Sequence, residues 1–409
     1  MALQTPRGTR DLDPEEMERR NWIVETIRRA YESYGFRPLE TPAFEYWDLL
    51  SRKGGGGDAM KDEIYYFKDK SGRELGLRFD LTVPLARFVA SNPQLPKPFR
   101  RYQIGRVWRY DKPQAGRFRE FWQADVDIIG SSSVEADAEC LAAAADALNA
   151  LGLKGFRIRV NNRKILNGAV KKLGLEKKAA AIFRALDKMG KVGEKETLAE
   201  LKRIDKKTAG ILEMIRKGFL GLDKSAEGVE ELSELVSACK RYGLKVEPDL
   251  SLVRGLDYYT GSIFEMEAGG GVGSVAGGGR YDRLIGQFGK QDTAATGISI
   301  GIDRLSEVLK PKKPLEAGET VYIAAVSDSL KQDAIRLATD LRKAGLRVQT
   351  DVSGRGLRKQ LDYVNSAGVP WVIFVGEKEV KSGRFTLRDM KTGKERKLSM
   401  GGVAGFLKS

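Results

Sequence analysis

The character of the chain changes three times along its length, and these changes constrain the fold more than any single motif does. Residues 163–242 have helical periodicity, are rich in lysine and glutamate and contain no proline. Segments of strand and glycine character lie on both sides of this stretch. After the proline–lysine segment 310–314, strands and helices alternate. The sequence therefore predicts two or three domains, with a helical module inserted into the first and a small, mostly parallel α/β domain at the end.

Local signals place further elements in the first part of the chain. Asp13, Pro14 and Glu16 form a capping pattern at the start of a helix that is expected to end near Gly35. Strands are predicted at residues 64–68, 75–79, 103–110, 118–129 and 296–301, and a helix at residues 134–151. The stretch 269–279 is rich in glycine and follows a strand that ends at residue 267.

The 409 residues include no histidine, although a typical frequency of about one in fifty would give roughly eight. Catalytic triads with histidine, imidazole bases and histidine metal ligands are therefore excluded. The two cysteines, Cys140 and Cys239, lie in apolar helical context and are expected to pack in a core, so no metal site built from histidine or cysteine is predicted. Any catalysis must use arginines, carboxylates, hydroxyls, backbone groups or the charge of the substrate.

The formal net charge of +15 is compatible with a nucleic-acid partner or with a well-solvated, lysine-rich surface. No apolar run is long enough to span a bilayer, and the N-terminus is polar from its first residues, which argues against a secretory signal. A cytoplasmic protein without a membrane partner is the expectation.

Glycine patterns suggest two nucleotide sites that the context does not support. Residues 271–276 fit a dinucleotide fingerprint, but further glycines follow where a helix should begin. The sequence also contains no glycine–lysine–serine or glycine–lysine–threonine element of a P-loop. Neither a dinucleotide site nor a P-loop is predicted.

A predicted hairpin at residues 103–129 carries the strongest site signal. Its loop and strands hold Arg106, Arg109, Arg117 and Arg119. On the return strand, residues 119, 121, 123, 125 and 127 share one face, which places a cation, a ring, an amide and two carboxylates in one row. A core strand would not bury this row without ligands or partners, so a ligand-binding surface is favoured over a solvated edge.

These residues also carry a resemblance to a known family. Residues 107–110 with 116–121 resemble the second signature motif of class II aminoacyl-tRNA synthetases, residues 297–304 resemble the third, and residues 41–45 occupy the place of the first. Residues 252–259 and 278–282 are similar to signatures of histidyl-tRNA synthetases, and residues 79–82 with Trp122 look archaeal or eukaryotic. Ser299 and Asp303 depart from the third motif, in which glycine and glutamate are common.

The resemblance implies an α+β fold. Residues 1–160 and 247–313 would form a catalytic domain on an antiparallel sheet, interrupted by a helical insertion at 161–246 and followed by an α/β anticodon-binding domain at 318–409. It implies a homodimer through the N-terminal helix and the first motif. It also implies ATP-dependent histidine–tRNA ligation, with ATP, Mg²⁺, histidine and the histidine tRNA as substrates and partners.

The resemblance further assigns roles to individual residues. Arg109 and Arg254 would be catalytic and contact the reacting carboxylate and α-phosphate. The ATP-binding residues would be Arg109, Arg117, Glu120, Phe121 and Arg304. The histidine-binding residues would be Asp80, Thr82, Gln123, Asp127, Tyr259 and Tyr281, together with Arg109 and Arg254. Gln114 is the candidate for contacting the acceptor end of the tRNA, and Tyr258 is expected to be a packed aromatic.

Three alternatives remain open on the sequence. A catalytically silent paralogue that regulates histidine biosynthesis would generally lack the C-terminal domain and lose the arginines. A stand-alone tRNA-binding module does not explain the polar pocket. A synthetase for threonine, proline or glycine would lack the segment that contains Arg254.

Overall fold

The computed structural model describes residues 3–51, 63–110, 118–253, 258–269, 273–289, 291–309 and 320–408. The chain divides into two compact units, Met1–Lys310 and Pro311–Ser409. Among the residues described, none of the helices combines the length and apolar character that a bilayer crossing requires.

The first unit is built on an eight-stranded sheet and has a second, small sheet. The strands of the unit are β1 Arg37–Pro38, β2 Phe44–Tyr46, β3 Tyr66–Lys68, β4 Glu74–Leu77, β5 Phe99–Trp108, β6 Glu120–Ile129, β7 Arg157–Asn162, β8 Val246–Pro248, β9 Ser262–Ala268, β10 Gly273–Arg280 and β11 Ala295–Gly301. The large sheet has the order β1-β5-β6-β11-β10-β9-β7-β8, and β2, β4 and β3 form a separate small sheet. Across this sheet, each neighbouring pair in the run β5-β6-β11-β10-β9-β7 is antiparallel. The outer pairs β1–β5 and β7–β8 are parallel. The predicted antiparallel α+β architecture is confirmed.

Helices cover one face of this sheet. The helices of the unit are α1 Pro14–Ser33, α2 Trp47–Ser51, α3 Thr82–Ser91, α4 Val134–Ala150, α5 Arg163–Lys172, α6 Ala179–Asp187, α7 Met189–Val192, α8 Glu194–Ile204, α9 Ala209–Lys217, α10 Val229–Arg241 and α11 Ile302–Val308. Asp13 and Glu16 form the predicted capping box of α1. Ile23 and Ile27 of α1 pack with Val126 and Ile128 of β6, and burial of each such side chain contributes about 1.5–3 kcal/mol. Cys140 and Cys239 are buried and unbridged, as expected for packing residues.

The helical stretch lies between two strands that pair with each other. Helices α5 to α10 follow β7 and precede β8, and these two strands are parallel neighbours. The chain therefore leaves the sheet and returns beside its point of departure. The helices have an apolar core of their own, which includes Leu166, Ile182, Leu186, Leu201 and Leu212.

The second unit has a five-stranded sheet. Its strands are β12 Val321–Ala325, β13 Val348–Thr350, β14 Trp371–Val375, β15 Arg384–Asp389 and β16 Glu395–Ser399, in the order β13-β12-β14-β15-β16. Its helices are α12 Lys331–Lys343, α13 Leu357–Ser366, α14 Glu377–Ser382 and α15 Met400–Lys408. The first three strands of the sheet are parallel, as expected, whereas β15 and β16 add an antiparallel hairpin.

One strand lies in the glycine-rich stretch, where no strand was predicted. β10 runs from Gly273 to Arg280 in the centre of the large sheet. A side chain at Gly278 would place its Cβ 2.0 Å from the carbonyl oxygen of Gly297 on β11. Glycine is required here because the neighbouring backbone is too close for any Cβ, not because the chain turns.

Candidate active site

A cavity of about 840 Å³ opens on the large sheet, and most of the sequence-predicted site residues line it. They are Asp80, Thr82, Arg109, Phe121, Gln123, Asp127, Tyr259, Tyr281 and Arg304. Glu120 does not line this cavity: its carboxylate accepts a hydrogen bond from Trp108 Nε1 at 2.9 Å and lies 3.4 Å from Arg106. Gln114, Arg117 and Arg254 lie outside the described residues.

Strand β6 supplies one wall of the cavity with alternate side chains. Gln123, Asp125 and Asp127 point to the same side, as the period of two of a strand requires. The intervening Ala124, Val126 and Ile128 are buried in the core on the other side. The predicted polar face of this strand is confirmed, and its opposite face is apolar.

Asp127 is contacted on both carboxylate oxygens. The Tyr281 hydroxyl donates a hydrogen bond to Oδ1 at 2.5 Å, and a guanidinium nitrogen of Arg101 lies 2.8 Å from Oδ2. Arg101 stands directly opposite Asp127 on β5 and is fully buried. Burial raises the pKa of the Asp127 carboxyl, and the positive charge of Arg101 opposes that rise. The site therefore holds an oriented carboxylate at its base.

Asp125 lies between Gln123 and Asp127 and is also buried. Burial raises the pKa of its carboxyl to about 7, against the opposing charge of Arg101. Its neighbour on β11 is Ser299, whose hydroxyl hydrogen-bonds the Asp125 carboxyl and accepts a hydrogen bond from Gln123 Nε2 at 2.7 Å. Ser299 departs from the family pattern and here connects two residues of the polar wall.

The start of α3 adds polar groups to the same end of the cavity. Asp80 Oδ1 accepts a hydrogen bond from the backbone N–H of Val83 at 2.9 Å, which fixes the carboxylate beside the first turn. Thr82 is the first residue of α3 and hydrogen-bonds Tyr258. Tyr258 packs its ring against those of Tyr259 and Tyr281, as expected of a packed aromatic.

Arginines lie at other positions around the cavity. Arg109 donates from Nε to the carbonyl oxygen of Phe79 at 3.0 Å, and its guanidinium carbon lies 5.1 Å from the centre of the Phe121 ring. The guanidinium of Arg304, at the start of α11, donates to the backbone carbonyl of Ser274 on β10. Both side chains are thus held by backbone acceptors while they border the open space.

Asp303, the residue before Arg304, connects α11 to strand β6. Its carboxylate lies 2.5 Å from the Arg20 guanidinium and accepts a hydrogen bond from the backbone N–H of Trp122 at 2.7 Å. Asp303, which stands where glutamate is common, thereby fixes the helix that carries Arg304 to the strand that carries Gln123.

Glycines form the floor of the cavity. Gly278 and Gly297 are among the glycines that line it. A Cβ at Gly297 would lie 2.0 Å from Asp127 Oδ1, and a Cβ at Gly279, the residue after Gly278, would lie 2.8 Å from the Tyr259 ring. The floor must therefore lack side chains for Asp127 and Tyr259 to occupy their places.

Sequence reasoning missed Arg101, which is fully buried and supports Asp127 from behind the cavity wall, and several residues that line the cavity. Arg101 could have been identified from strand pairing, because the hairpin register places it opposite Asp127. Leu186, Asp187, Met189 and Gly190 of the helical stretch, and Arg159 of β7, line the cavity. No local signal connects those residues with residues 119–127, because only the three-dimensional fold brings them together.

The geometry is suited to a ligand that has a cationic and an anionic part. Buried carboxylates and an amide occupy one wall, whereas Arg109 and Arg304 offer guanidinium groups to phosphate or carboxylate oxygens. An aromatic ring, Phe121, stands next to Arg109 and can stack on a planar base. In the described ranges, no group of three or more acidic or cysteine side chains is arranged to hold a metal ion.

The fold and the cavity are those expected of class II aminoacyl-tRNA synthetases, and comparisons with known proteins give the family. The family profile described as Histidyl-tRNA synthetase matches residues 8–305, and that of the Anticodon binding domain matches residues 320–409. The chain belongs to the histidyl-tRNA synthetase family.

Individual relatives cover nearly the whole chain. A histidine–tRNA ligase from Aeropyrum pernix is 42% identical over 97% of this chain and 95% of its own length, in keeping with the archaeal character of the sequence. The crystal structure of histidyl-tRNA synthetase from Nostoc sp. PCC 7120 superimposes with a TM-score of 0.83 at 29% identity, covering 100% of this chain and 99% of that one. A Bacillus halodurans structure described as an ATP phosphoribosyltransferase regulatory subunit/histidyl-tRNA synthetase has a TM-score of 0.74 at 27% identity, covering 91% and 98%.

Proposed function

We propose that this chain is a histidine–tRNA ligase, which activates histidine with ATP and transfers the histidyl group to the 3′ end of the histidine tRNA. One observation carries the proposal: a single cavity joins a wall of buried carboxylates to two arginines and an aromatic ring. An amino acid and a nucleotide together present the complementary groups. The names of the relatives point to the same activity.

Activation needs no protein base. The carboxylate of histidine attacks the α-phosphorus of ATP, the new O–P bond forms, and pyrophosphate leaves with the electrons of the broken bond. The protein must supply position and positive charge, which suits a chain without histidine. Mg²⁺ enters as part of the ATP substrate and neutralises the leaving phosphates.

Arginines supply the charge in this proposal. Arg109 contacts the α-phosphate and the reacting carboxylate, and Arg304 with Arg117 holds the outer phosphates. Arg254 would face the α-phosphate from the other side. Phe121 stacks on adenine, beside the guanidinium of Arg109 that the structure places 5.1 Å from its ring.

Glu120 is assigned to the amino edge of adenine. Its carboxylate is engaged by Trp108 and Arg106, so it reads adenine through the lone pairs that these donors leave open.

Histidine selection is assigned to the carboxylate wall and the tyrosines. Asp80, Thr82 and Gln123 accept the α-ammonium group. Asp127, oriented by Tyr281, accepts from one imidazole nitrogen, and Tyr259 contacts the other. A pocket with buried polar groups rejects an analogue that cannot hydrogen-bond, because those groups would be left unpaired.

The regulatory paralogue is the second candidate, and no feature of the chain favours it. Such relatives generally lack the C-terminal domain and lose the arginines. Here the anticodon-binding profile matches residues 320–409, and Arg109, Arg254 and Arg304 are all present in the sequence.

The tRNA is assigned to two places. We assign anticodon recognition to the second unit, and contact with the acceptor end to Gln114. The boundaries 1–160, 161–246, 247–313 and 318–409 are our domain assignment, and the cytoplasm is our proposed compartment, since the tRNA substrate is found there and both cysteines are free thiols.

A homodimer is part of the proposal. Three aromatic side chains of the small sheet, Phe44, Tyr46 and Phe67, are 51%, 56% and 38% exposed, and Phe44 lies in the segment that resembles the first motif. We propose that a second copy of the chain covers these three side chains. The apolar face of α1 is buried in its own core, so α1 would contribute its outer, polar face to the dimer. Light scattering at micromolar concentration should give twice the mass of the chain, and a monomer would contradict the assignment.

The activity is tested by pyrophosphate exchange with each of the twenty amino acids. Histidine alone should support rapid exchange, because it alone matches the carboxylate wall at both its ammonium and its imidazole. If a different amino acid supported exchange and histidine did not, that amino acid would be the substrate. Exchange with none, in a protein that binds histidine, would favour the regulatory alternative.

A further inference from the structure

Among the described residues, none donates a hydrogen bond to one carboxylate oxygen of the cavity wall. The side chain of Asp125 is 3% exposed and lines the cavity. In the described part of the chain, its Oδ1 atom has no hydrogen-bond partner. Burial of an acceptor without a donor costs about 1–3 kcal/mol, and more for a charged group. Native proteins seldom retain such an atom unless a ligand, an ion or a water satisfies it.

A second acceptor with the same property lies beside it. Gln123 Oε1 is also buried without a donor among the described residues. The amide nitrogen of the same side chain is engaged by Ser299, which fixes the orientation of the amide and directs its oxygen away from that hydroxyl. Gln123 and Asp125 therefore present two uncommitted acceptors on one face of β6.

The neighbouring carboxylate is different. Asp127 receives a hydrogen bond from Tyr281 on one oxygen and faces the Arg101 guanidinium at 2.8 Å with the other. Oδ2 of Asp127 also lacks a hydrogen bond among the described residues, but its ion pair with Arg101 compensates its charge. For Asp125 Oδ1, the described residues provide neither a hydrogen bond nor an ion pair at this distance. A compact cation with several N–H groups would satisfy Asp125 Oδ1 and Gln123 Oε1 together.

We propose that Asp125 is a further substrate-binding residue, which accepts a hydrogen bond from the α-ammonium group of histidine beside Gln123. This inference rests on the proposed function, since it takes histidine to be the substrate. This contact would add an ion pair to the recognition of the ammonium group. It also gives Ser299 a role, because the serine hydroxyl contacts the side chains of both Gln123 and Asp125 and holds them in place.

The binding of a cation at this position should displace a proton. With the cavity empty, burial raises the pKa of the Asp125 carboxyl to about 7, so the group is largely protonated below neutral pH. An ammonium group favours the carboxylate and lowers that pKa, so histidine binding releases protons and strengthens as the pH rises towards 7. The titratable and charged groups that interact with Asp125 are Tyr31, Arg78, Asp80, Arg101, Asp127 and Tyr258.

Three ligands separate recognition of the ammonium group from recognition of the ring. Histidine has both groups, histamine lacks the carboxylate, and imidazolepropionate lacks the ammonium. Asp125→Asn should weaken histidine and histamine about 10- to 100-fold and leave imidazolepropionate within about twofold, measured by calorimetry on the full-length protein. Asp127→Asn should weaken all three. Equal weakening of all three by Asp125→Asn, or no weakening, would overturn the proposal.

Proton release gives a second readout, which a purely structural role would not change. Calorimetry at pH 6.5 in two buffers of different ionisation enthalpy counts the protons released when histidine binds. The wild-type protein should release roughly half a proton or more beyond the Asp125→Asn variant. Asp146→Asn, which removes a surface charge of α4, should match the wild type. Equal release by Asp125→Asn and wild type would refute the role of Asp125, whereas a wild-type protein that binds no histidine would refute the proposed function instead.

Discussion

The two larger sheets of this protein differ in what they bury. The eight-stranded sheet buries charged side chains, among them Arg101, Asp125 and Asp127. In the five-stranded sheet and its helices, the buried polar groups of the described residues include Gln360, Thr386 and the hydroxyl of Tyr322, and none of the residues buried there is charged. Removal of a charge from water costs several kcal/mol per ion unless a partner compensates. Under the proposed function, the first unit retains this cost because its ligand binds inside, whereas the second unit acts on the tRNA through its surface.

The largest expected effect comes from the charged cavity. Arg109→Lys keeps the positive charge but loses the planar fork that reaches two oxygens at once. We predict a loss of about two decades in the rate of histidine-dependent pyrophosphate exchange, on the order of 3 kcal/mol. The control is Arg157→Lys at the start of β7, where the side chain is 60% exposed and pairs with Glu247; this change should alter the rate little. A rate within fivefold of wild type for Arg109→Lys would remove this residue from the reaction.

The second prediction tests whether the second unit binds the anticodon of the tRNA. Truncation after Lys313 removes none of the described residues that line the cavity. We therefore expect pyrophosphate exchange to survive, while aminoacylation of the histidine tRNA falls roughly tenfold or more as phosphate contacts are lost. The residual aminoacylation should also depend less steeply on salt than that of the full chain. If the truncated protein charges tRNA as well as the full chain does, the anticodon assignment fails.

The third prediction concerns the hydroxyl of Tyr259 and compares its effect on histidine with its effect on ATP. Tyr259→Phe removes one proposed contact with the imidazole and should raise the KM for histidine about fivefold, with little change in the KM for ATP. Tyr31→Phe is the matched control, because Tyr31 is also buried but donates to the carbonyl oxygen of Ala124 on the core side of the sheet. Equal effects of Tyr259→Phe on both substrates would give this tyrosine an architectural role.

The smallest effect concerns the stability cost of a buried charge. Burial raises the folded-state pKa of Asp125 from the ordinary aspartate value to about 7, so its ionisation destabilises the fold. Without ligand, the contribution of this group to the free energy of unfolding therefore falls as the pH rises from about 4 towards 7. Asp125→Asn escapes this loss. Its melting temperature should exceed that of the wild type by about 2 °C or more at pH 8, and by less at pH 5. A difference that is independent of pH would contradict the assigned pKa.

The sequence was sufficient to predict what local pattern determines. The capping box of α1, the alternation of β6 and the strand–helix order of residues 321–375 are all properties of short segments, and all are confirmed. The polar face of β6 was visible because the period of a strand needs no knowledge of the rest of the fold.

Features that depend on distant neighbours were missed. β10 reads as a glycine-rich loop because the reason for its glycines is the backbone of β11, which no local rule reveals. Asp125 was recognised as part of a polar row but not as a ligand-binding residue, since its uncommitted oxygen is a property of the assembled cavity. Arg159 and the segment that ends α6 border the cavity only through the return of the chain from the helical stretch.

The glycine floor limits how this pocket can change during evolution. Every single-residue replacement at Gly278 or Gly297 introduces a Cβ, which would lie 2.0 Å from an existing atom. Selectivity for a different amino acid therefore cannot evolve through gradual changes at these positions. Variation is left to the side chains around this floor, such as those of β6, the start of α3 and the tyrosines, so descendants of this pocket would keep its depth while they altered the charges around its ligand.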